Sequence, residues 1–361
     1  MKRDPARILL LVDGLAVGGA ERQAVELLKG LARSGRFAPV LGVLDRGGEL
    51  EAEAAESAVE VLALRRRARF DCTPAIELIG HTRRARVRLI QAQGWMSGLA
   101  ALVAARCLGL PVVNASLRNA PTVPSARERL ARWSALRSDA AVVNGVGQLH
   151  AFGLDGKRQV RVIPNGVDLD RFERIAPDGG GATICMVANF SGYKDHSTLI
   201  RALPLIRAAI PEARMTLVGR DEGTLAAARR LVEELGLGGA VRFVTDSAHP
   251  EPFIAGSAVG VLSTYGEGLS NALLEYMALA KPVVASDCPG NQAIVHDGEN
   301  GFIVPQRSPE SLAARVTDLL RDSERARVMG ARGRARVEES HSLDRMVADY
   351  ERLYDELVPA P

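Results

Sequence analysis

Aromatic residues make up only 4% of these 361 residues, while Ala, Leu, Val and Gly are abundant, a balance that suits an α/β protein. Cysteine is equally sparse. Cys72, Cys107, Cys185 and Cys288 lie far apart without metal-ligand spacing, so a disulfide framework is excluded and all four read as small buried residues. His81, His150, His196, His249, His296 and His341 also lack ligand spacing, and no metal site is expected. No stretch approaches the roughly 20 apolar residues of a spanning helix. The run Ile8 to Val12 is too short for a signal segment and stops at Asp13. A cytoplasmic protein, touching a membrane at most from the inner face, is the expectation.

The formal net charge is only +3, but its distribution is uneven. Residues 61–140 hold fourteen arginines and four acids, Asp71, Glu77, Glu128 and Asp139. The densest groups, Arg65 to Arg69 and Arg83 to Arg88, form a basic surface that attracts anionic headgroups, diphosphates or nucleic acid. With 47% hydrophobic residues the length suffices for two domains.

Ile8 to Val12 reads as a buried strand, Asp13 to Gly19 as a loop, and Ala20 to Leu31 as a helix stopped by Gly35. The loop lacks G-x-G-x-x-G, which disfavours a nicotinamide dehydrogenase. Strands at Pro39–Leu44, Val59–Leu64, Leu89–Ala92, Pro111–Val113 and Ala140–Val143, with helices from about Glu49, over Ser97–Leu108 and after Val143, predict a doubly wound parallel sheet. Asp170 to Gly181, with Pro177 and three glycines, has hinge composition. The pattern then restarts, with strands at Thr183–Ala188, Met215–Gly219, 241–244 and Val259–Ser263. Domains are expected at 1–170 and 171–342, followed by an amphipathic helix from Leu343 to Leu357.

The stretch Tyr265 to Pro305 organises the chain. Gly266-Glu267-Gly268-Leu269 reads as a loop feeding a helix capped by Ser270, which stops at Lys281-Pro282 before a strand at Val283–Ala285. A loop meeting a helix N-terminus beside a strand suits an anion such as phosphate. On an ideal helix Glu267 and Glu275 would differ by about 80° in direction and roughly 12 Å in height, two carboxylates toward one cleft.

This E-x7-E pair within EGLSNALLEYMALAKPVVASD, with Gly290-Asn291 and DGENGFIVP, resembles the donor-site signature of retaining GT-B glycosyltransferases of family 4. The resemblance extends to the GGAE turn at Gly18-Gly19 and to VRVIPNGVD at Val160–Asp168. It implies two Rossmann-like domains facing a cleft, an acceptor domain followed by a donor domain, and a C-terminal helix crossing back to the first. By the same resemblance, Glu267 contacts the transferred sugar and Glu275 the ribose. The backbone of Gly268, Leu269, Ser270 and Asn271 would meet the sugar and diphosphate, which Gly18, Gly19 and Gly219 also flank. Lys194 would neutralise the leaving diphosphate, making Lys194 and Glu267 the catalytic pair, and closure about the linker would complete the site.

Two departures from the family pattern stand out. Asn189 occupies the place of an arginine that usually partners the lysine. Histidines found after the strands ending here at Gln93 and near Ser116 are both missing, and Arg118 is the positive group left on the acceptor side. The implied reaction moves a sugar from a nucleoside-diphosphate sugar, UDP favoured over GDP, to a hydroxyl of a glycan or lipid-linked acceptor. No other cofactor and no nucleic-acid partner is implied. A nucleotide-sugar epimerase of the same fold and a non-catalytic nucleotide-sugar-binding scaffold are the alternatives.

Overall fold

The computed structural model describes residues 4–58, 60–64, 73–117, 125–175, 181–245, 247 and 249–358. The Arg65–Arg69 group, Cys72, Arg118, Pro177, Gly179 and Gly180 lie outside the described residues. The chain divides into two compact units, residues 1–166 with 343–361, and residues 167–342. Residues 167–170, expected in the first domain, belong to the second unit.

The first unit runs β1 (Ala6–Gly14), α1 (Gly19–Ser34), β2 (Phe37–Asp45), α2 (Glu51–Ala55), β3 (Glu60–Ala63), α3 (Thr73–Arg84), β4 (Val87–Gln93) and α4 (Trp95–Leu108). It continues with β5 (Val112–Leu117), α5 (Ala126–Arg137), β6 (Ala140–Val143), α6 (Val146–Ala151) and β7 (Val160–Val162). The strands form one sheet in the order β3-β2-β1-β4-β5-β6-β7, parallel throughout its pairings. Both faces are covered, so Ile8 to Val12 is apolar at every position rather than alternating. Ile8, Leu10 and Val12 pack under α1 and α2, and Leu9 and Leu11 pack under α3 and α4.

The last helix of the chain, α15 (Leu343–Leu357), belongs to this unit and packs along α1. Tyr354 anchors it: its ring is buried edge-on to Phe37 at 5.4 Å, and its hydroxyl donates to Gln91 Oε1 at 2.5 Å. Arg36 clamps the outer edge through Glu351 at 2.9 Å and Asp355 at 2.7 Å.

The second unit opens with α7 (Leu169–Glu173), a short helix where the sequence reads as hinge, followed by β8 (Thr183–Val187), α8 (His196–Ala209), β9 (Arg214–Val218) and α9 (Leu225–Glu234). Then come β10 (Val241–Val244), α10 (Glu251–Ala255), β11 (Val259–Leu262), α11 (Asn271–Ala278), β12 (Val283–Ser286), α12 (Pro289–Gln292), β13 (Gly301–Val304), α13 (Pro309–Arg321) and α14 (Ser323–Ser340). Its parallel sheet has the order β10-β9-β8-β11-β12-β13. In both units the strand order reverses once, beside β1 in the first and beside β8 in the second. A crevice at the carboxyl ends of the strands is the usual ligand site at such a reversal.

Two expectations from sequence change here. Glu267 sits in the expected loop, since α11 begins at Asn271 after the Ser270 cap, so the ideal-helix angle and height between Glu267 and Glu275 do not describe this pair. The four cysteines are not uniformly buried: Cys185 and Cys288 are, whereas Cys107 on α4 is exposed. The helices α3, α5 and α14 were not anticipated at all.

Candidate active site

In the second unit the reversal falls between β8 and β11, and the loops after these strands are stitched together. The Asp195 N–H donates to Ser263 O at 3.0 Å, the Tyr265 N–H to Tyr193 O at 2.9 Å, and Thr264 Oγ1 to Tyr193 O at 3.0 Å. Ser286, at the end of β12, accepts from the Thr264 N–H at 2.9 Å and donates to Thr264 O at 2.8 Å. Three strand ends are thus locked into one floor, so side chains on these loops have a fixed platform.

The helix rising from that floor is α11. Ser270 caps it, accepting from the Leu273 N–H, so the first turn of α11 starts where the loop ends. Tyr276 fixes its height: fully buried, its hydroxyl accepts from the Val187 N–H at 2.6 Å and donates to Val261 O at 3.3 Å. The ring lies on Gly260, where a Cβ would come within 2.5 Å of it, so β11 must carry glycine there. At Gly290 a Cβ would overlap the carbonyls of Glu267 and Gly268, so α12 can pass beneath the loop only as glycine. Its neighbour Asn291 donates to Ser286 O at 2.8 Å. The Gly290-Asn291 pair of the signature therefore supports the loop that carries Glu267.

Lys194 and Glu267 meet on this platform as an ion pair, with side chains only 11% and 7% exposed. Lys194 Nζ also lies 5.0 Å from the centre of the Tyr193 ring. Burial pushes the Lys194 ammonium down to about 8, against the opposing pull of Cys288 and Glu222. A lysine tuned this way is still mostly charged at neutral pH yet weakly hydrated, which strengthens its attraction for an anion.

Asn189 sits at the end of β8, with its carbonyl accepting from the Arg220 N–H at 3.1 Å and its amide donating to Glu222 Oε1 at 2.8 Å. Gly219, with φ near 158°, allows the β9 end to close onto Ala188. Arg220, which the sequence places with Gly219 at this strand end, is thereby held beside the residue that replaces the family's arginine. Its guanidinium is 3.7 Å from Glu222. His196 begins α8 as a neutral ring: burial pushes it down to about 4, and it stacks on Phe190 at 4.3 Å. Glu275 lies in the second turn of α11 and is partly buried. The structure thus gathers Lys194, Glu267, Gly268, Leu269, Ser270, Asn271 and Glu275 around one helix start, with Asn189 and Gly219 on the adjoining strand ends.

Gly18 and Gly19 belong to the first unit, as N-cap and first residue of α1. At the reversal of that unit's sheet, Asp13 accepts from the Ser97 N–H at 2.7 Å and the Met96 N–H at 3.3 Å, capping α4, and burial raises its carboxyl above the usual range. Both amide atoms of Gln93 are buried there without a hydrogen-bond partner among the described residues. Sequence reading gave Asp13 no role and named Gln93 only as the strand end after which a histidine is missing. The signal that finds them is strand order, which places the ends of β1 and β4 side by side. Among the described residues no cluster of His, Cys, Asp and Glu has the arrangement of a metal site.

Two family models match this chain: Glycosyltransferase Family 4 over residues 17–171 and Glycosyl transferases group 1 over residues 169–336. A lipopolysaccharide core biosynthesis glycosyltransferase, LpsE, of Rhizobium meliloti is 31% identical over 186 residues, covering 50% of this chain and 53% of that protein. A GDP-mannose-dependent alpha-(1-6)-phosphatidylinositol monomannoside mannosyltransferase of Mycolicibacterium smegmatis is 31% identical over 241 residues, covering 59% and 60%. The matches therefore span about half to three fifths of the length of these relatives. Among solved structures, Anabaena HepE in complex with UDP-glucose superposes with a TM-score of 0.86 at 19% identity, covering 97% of this chain and all of that one. Sucrose-phosphate synthase from Thermosynechococcus elongatus gives 0.80 at 21% identity, covering 98% and 99%. These structures share the GT-B architecture seen here. With the two models running end to end across both sheets, the chain belongs to the group 1 glycosyltransferases of family 4.

Proposed function

We propose that this protein transfers a sugar from a nucleoside-diphosphate sugar to a hydroxyl of a glycan or lipid-linked acceptor, with retention at the anomeric carbon, in the synthesis of cell-surface polysaccharide or glycolipid. The observation that carries the reading is the buried Lys194–Glu267 pair at the start of α11, on the sheet reversal of the second unit. The anomeric C–O bond to the diphosphate breaks as the acceptor oxygen bonds the same face of that carbon, and the acceptor proton passes to the departing diphosphate. Negative charge grows on that leaving group. Lys194 and the first-turn N–H groups of α11 are the donors preorganised to meet it. Glu267 orients the sugar hydroxyls and Glu275 the ribose, since ionised carboxylates accept from hydroxyls.

UDP is favoured over GDP as the nucleotide. Relatives bear on this in both directions: the HepE structure holds UDP-glucose and the mycobacterial relative is named for GDP-mannose. No helix among the described residues is long and apolar enough to cross a membrane. Together with the exposed Arg83, Arg84, Arg86 and Arg88, this supports a cytoplasmic protein held peripherally on the inner face.

Incubation with UDP- and GDP-sugars and a panel of lipid-linked and free glycan acceptors, followed by NMR of the new linkage, tests the reading. An α product from an α donor is expected. An inverted product would overturn the mechanism. Donor conversion without acceptor would indicate an epimerase, and nucleotide binding without transfer to any acceptor a scaffold.

A further inference from the structure

Charge is segregated across the first unit. α1, α2 and α15 cover one face of its sheet, and α3, α4 and α5 cover the other. The first group of helices carries nine acids and five Lys or Arg, whereas α3, α4 and α5 carry seven arginines and two glutamates, Glu77 and Glu128. Glu128 is engaged in the capping box with Ser125 at the start of α5.

Large apolar side chains stand out from this basic face: Ile76 is 72% exposed, Val103 51%, Leu130 42% and Trp133 48%. Leu130 and Trp133 are three positions apart and share a helix side. The Arg137 guanidinium lies 5.1 Å over the Trp133 ring, and Arg137 O accepts from Arg106 at 3.1 Å, which joins α4 to α5 at that point. An aqueous surface gains nothing from a half-exposed indole among arginines. A lipid headgroup layer does, because indole settles at the boundary of water and hydrocarbon while arginine pairs with phosphate.

We propose that the α3–α5 face docks this protein on an anionic lipid bilayer, with Trp133 and Leu130 entering the headgroup boundary and Arg83, Arg106, Arg129 and Arg137 contacting lipid phosphates. A bilayer suits the pattern better than nucleic acid, because Trp133 is the lone exposed aromatic among the described residues of these helices, and successive bases would need several. The inference rests on the peripheral-membrane part of the reading above and is independent of the transfer chemistry.

The full chain is sedimented with phosphatidylcholine vesicles, with and without phosphatidylglycerol. Binding is expected only with the anionic lipid, falling as salt is raised. Arg129→Glu with Arg137→Glu should weaken it by about a hundredfold or more. Arg345→Glu with Arg352→Glu, the same change in net charge placed on α15, should leave it nearly intact. Trp95→Phe leaves Trp133 as the sole tryptophan, whose emission should shift to the blue on anionic vesicles and be quenched by brominated acyl chains. Equal binding to neutral vesicles, equal loss in both charge variants, or an unresponsive Trp133 would each overturn the proposal. UDP titration of the same variants, expected unchanged, keeps this outcome separate from that of the donor-site reading.

Discussion

Lys194 and Glu267 neutralise each other where little water reaches them, and in the proposed reaction a donor diphosphate would draw the ammonium away. Removing that charge should affect the step in which the leaving group gains charge, so Lys194→Ala is expected to lower kcat by about 10²–10³-fold. The pH dependence follows from the depressed pKa. Below about 8 the ammonium is charged in folded and unfolded chain alike, and between 8 and its ordinary 10.5 the folded protein has released the proton. Diphosphate prefers the ammonium, so nucleotide affinity should fall as pH rises through about 8, and Lys194→Gln should abolish that fall; a wild-type profile flat from neutral to alkaline pH contradicts the assignment. Asn189 brings no charge of its own, but its carbonyl holds the backbone of Arg220. Arg220→Ala is accordingly expected to weaken UDP binding more than Asn189→Ala, measured by calorimetry, whereas equal effects would deny Arg220 the substitute role.

At the scale of elements, the site depends on how α11 is seated. Tyr276→Phe removes the acceptor of the part-buried Val187 N–H, which should cost about 1–3 kcal/mol and lower Tm by several degrees. A stability equal to wild type in thermal unfolding would mean that the hydroxyl does not seat the helix. Much of this was legible beforehand. Ser270 as cap, Pro282 as stop, and the strand that follows were all written in local residue chemistry. The loop position of Glu267 was legible too, from the glycines on either side of it, whereas the packing of that loop on Gly290 was not, because it joins segments that local residue chemistry does not relate. Two of the unanticipated helices share a cause: α5 turns only Ala131, Ser134 and Ala135 fully inward, and α14 buries two glycines among its four fully buried residues, so neither shows a strong apolar stripe.

Across the whole molecule, one plan is used twice: a parallel sheet whose order reverses once, which sets strand carboxyl ends side by side at the reversal. Alternating strand and helix signals made the two sheets readable from sequence. Long-range pairing was not readable, so Asp13 and Gln93, eighty residues apart, gave no sign of meeting at one sheet edge. The C-terminal helix illustrates both sides of this: its amphipathic stripe was plain and its return to the first unit was expected from the family resemblance, while the pairing of Tyr354 with Gln91 was not readable. The central claim is a nucleotide-sugar site around the start of α11, and calorimetric titration with UDP, GDP and ADP tests it most directly. One nucleotide series should bind, with affinity reduced about ten- to a hundredfold in Glu275→Ala, as the loss of charge-assisted bonds to the ribose requires. Binding of none of them to the folded protein, or binding unaffected by Glu275→Ala, would contradict it.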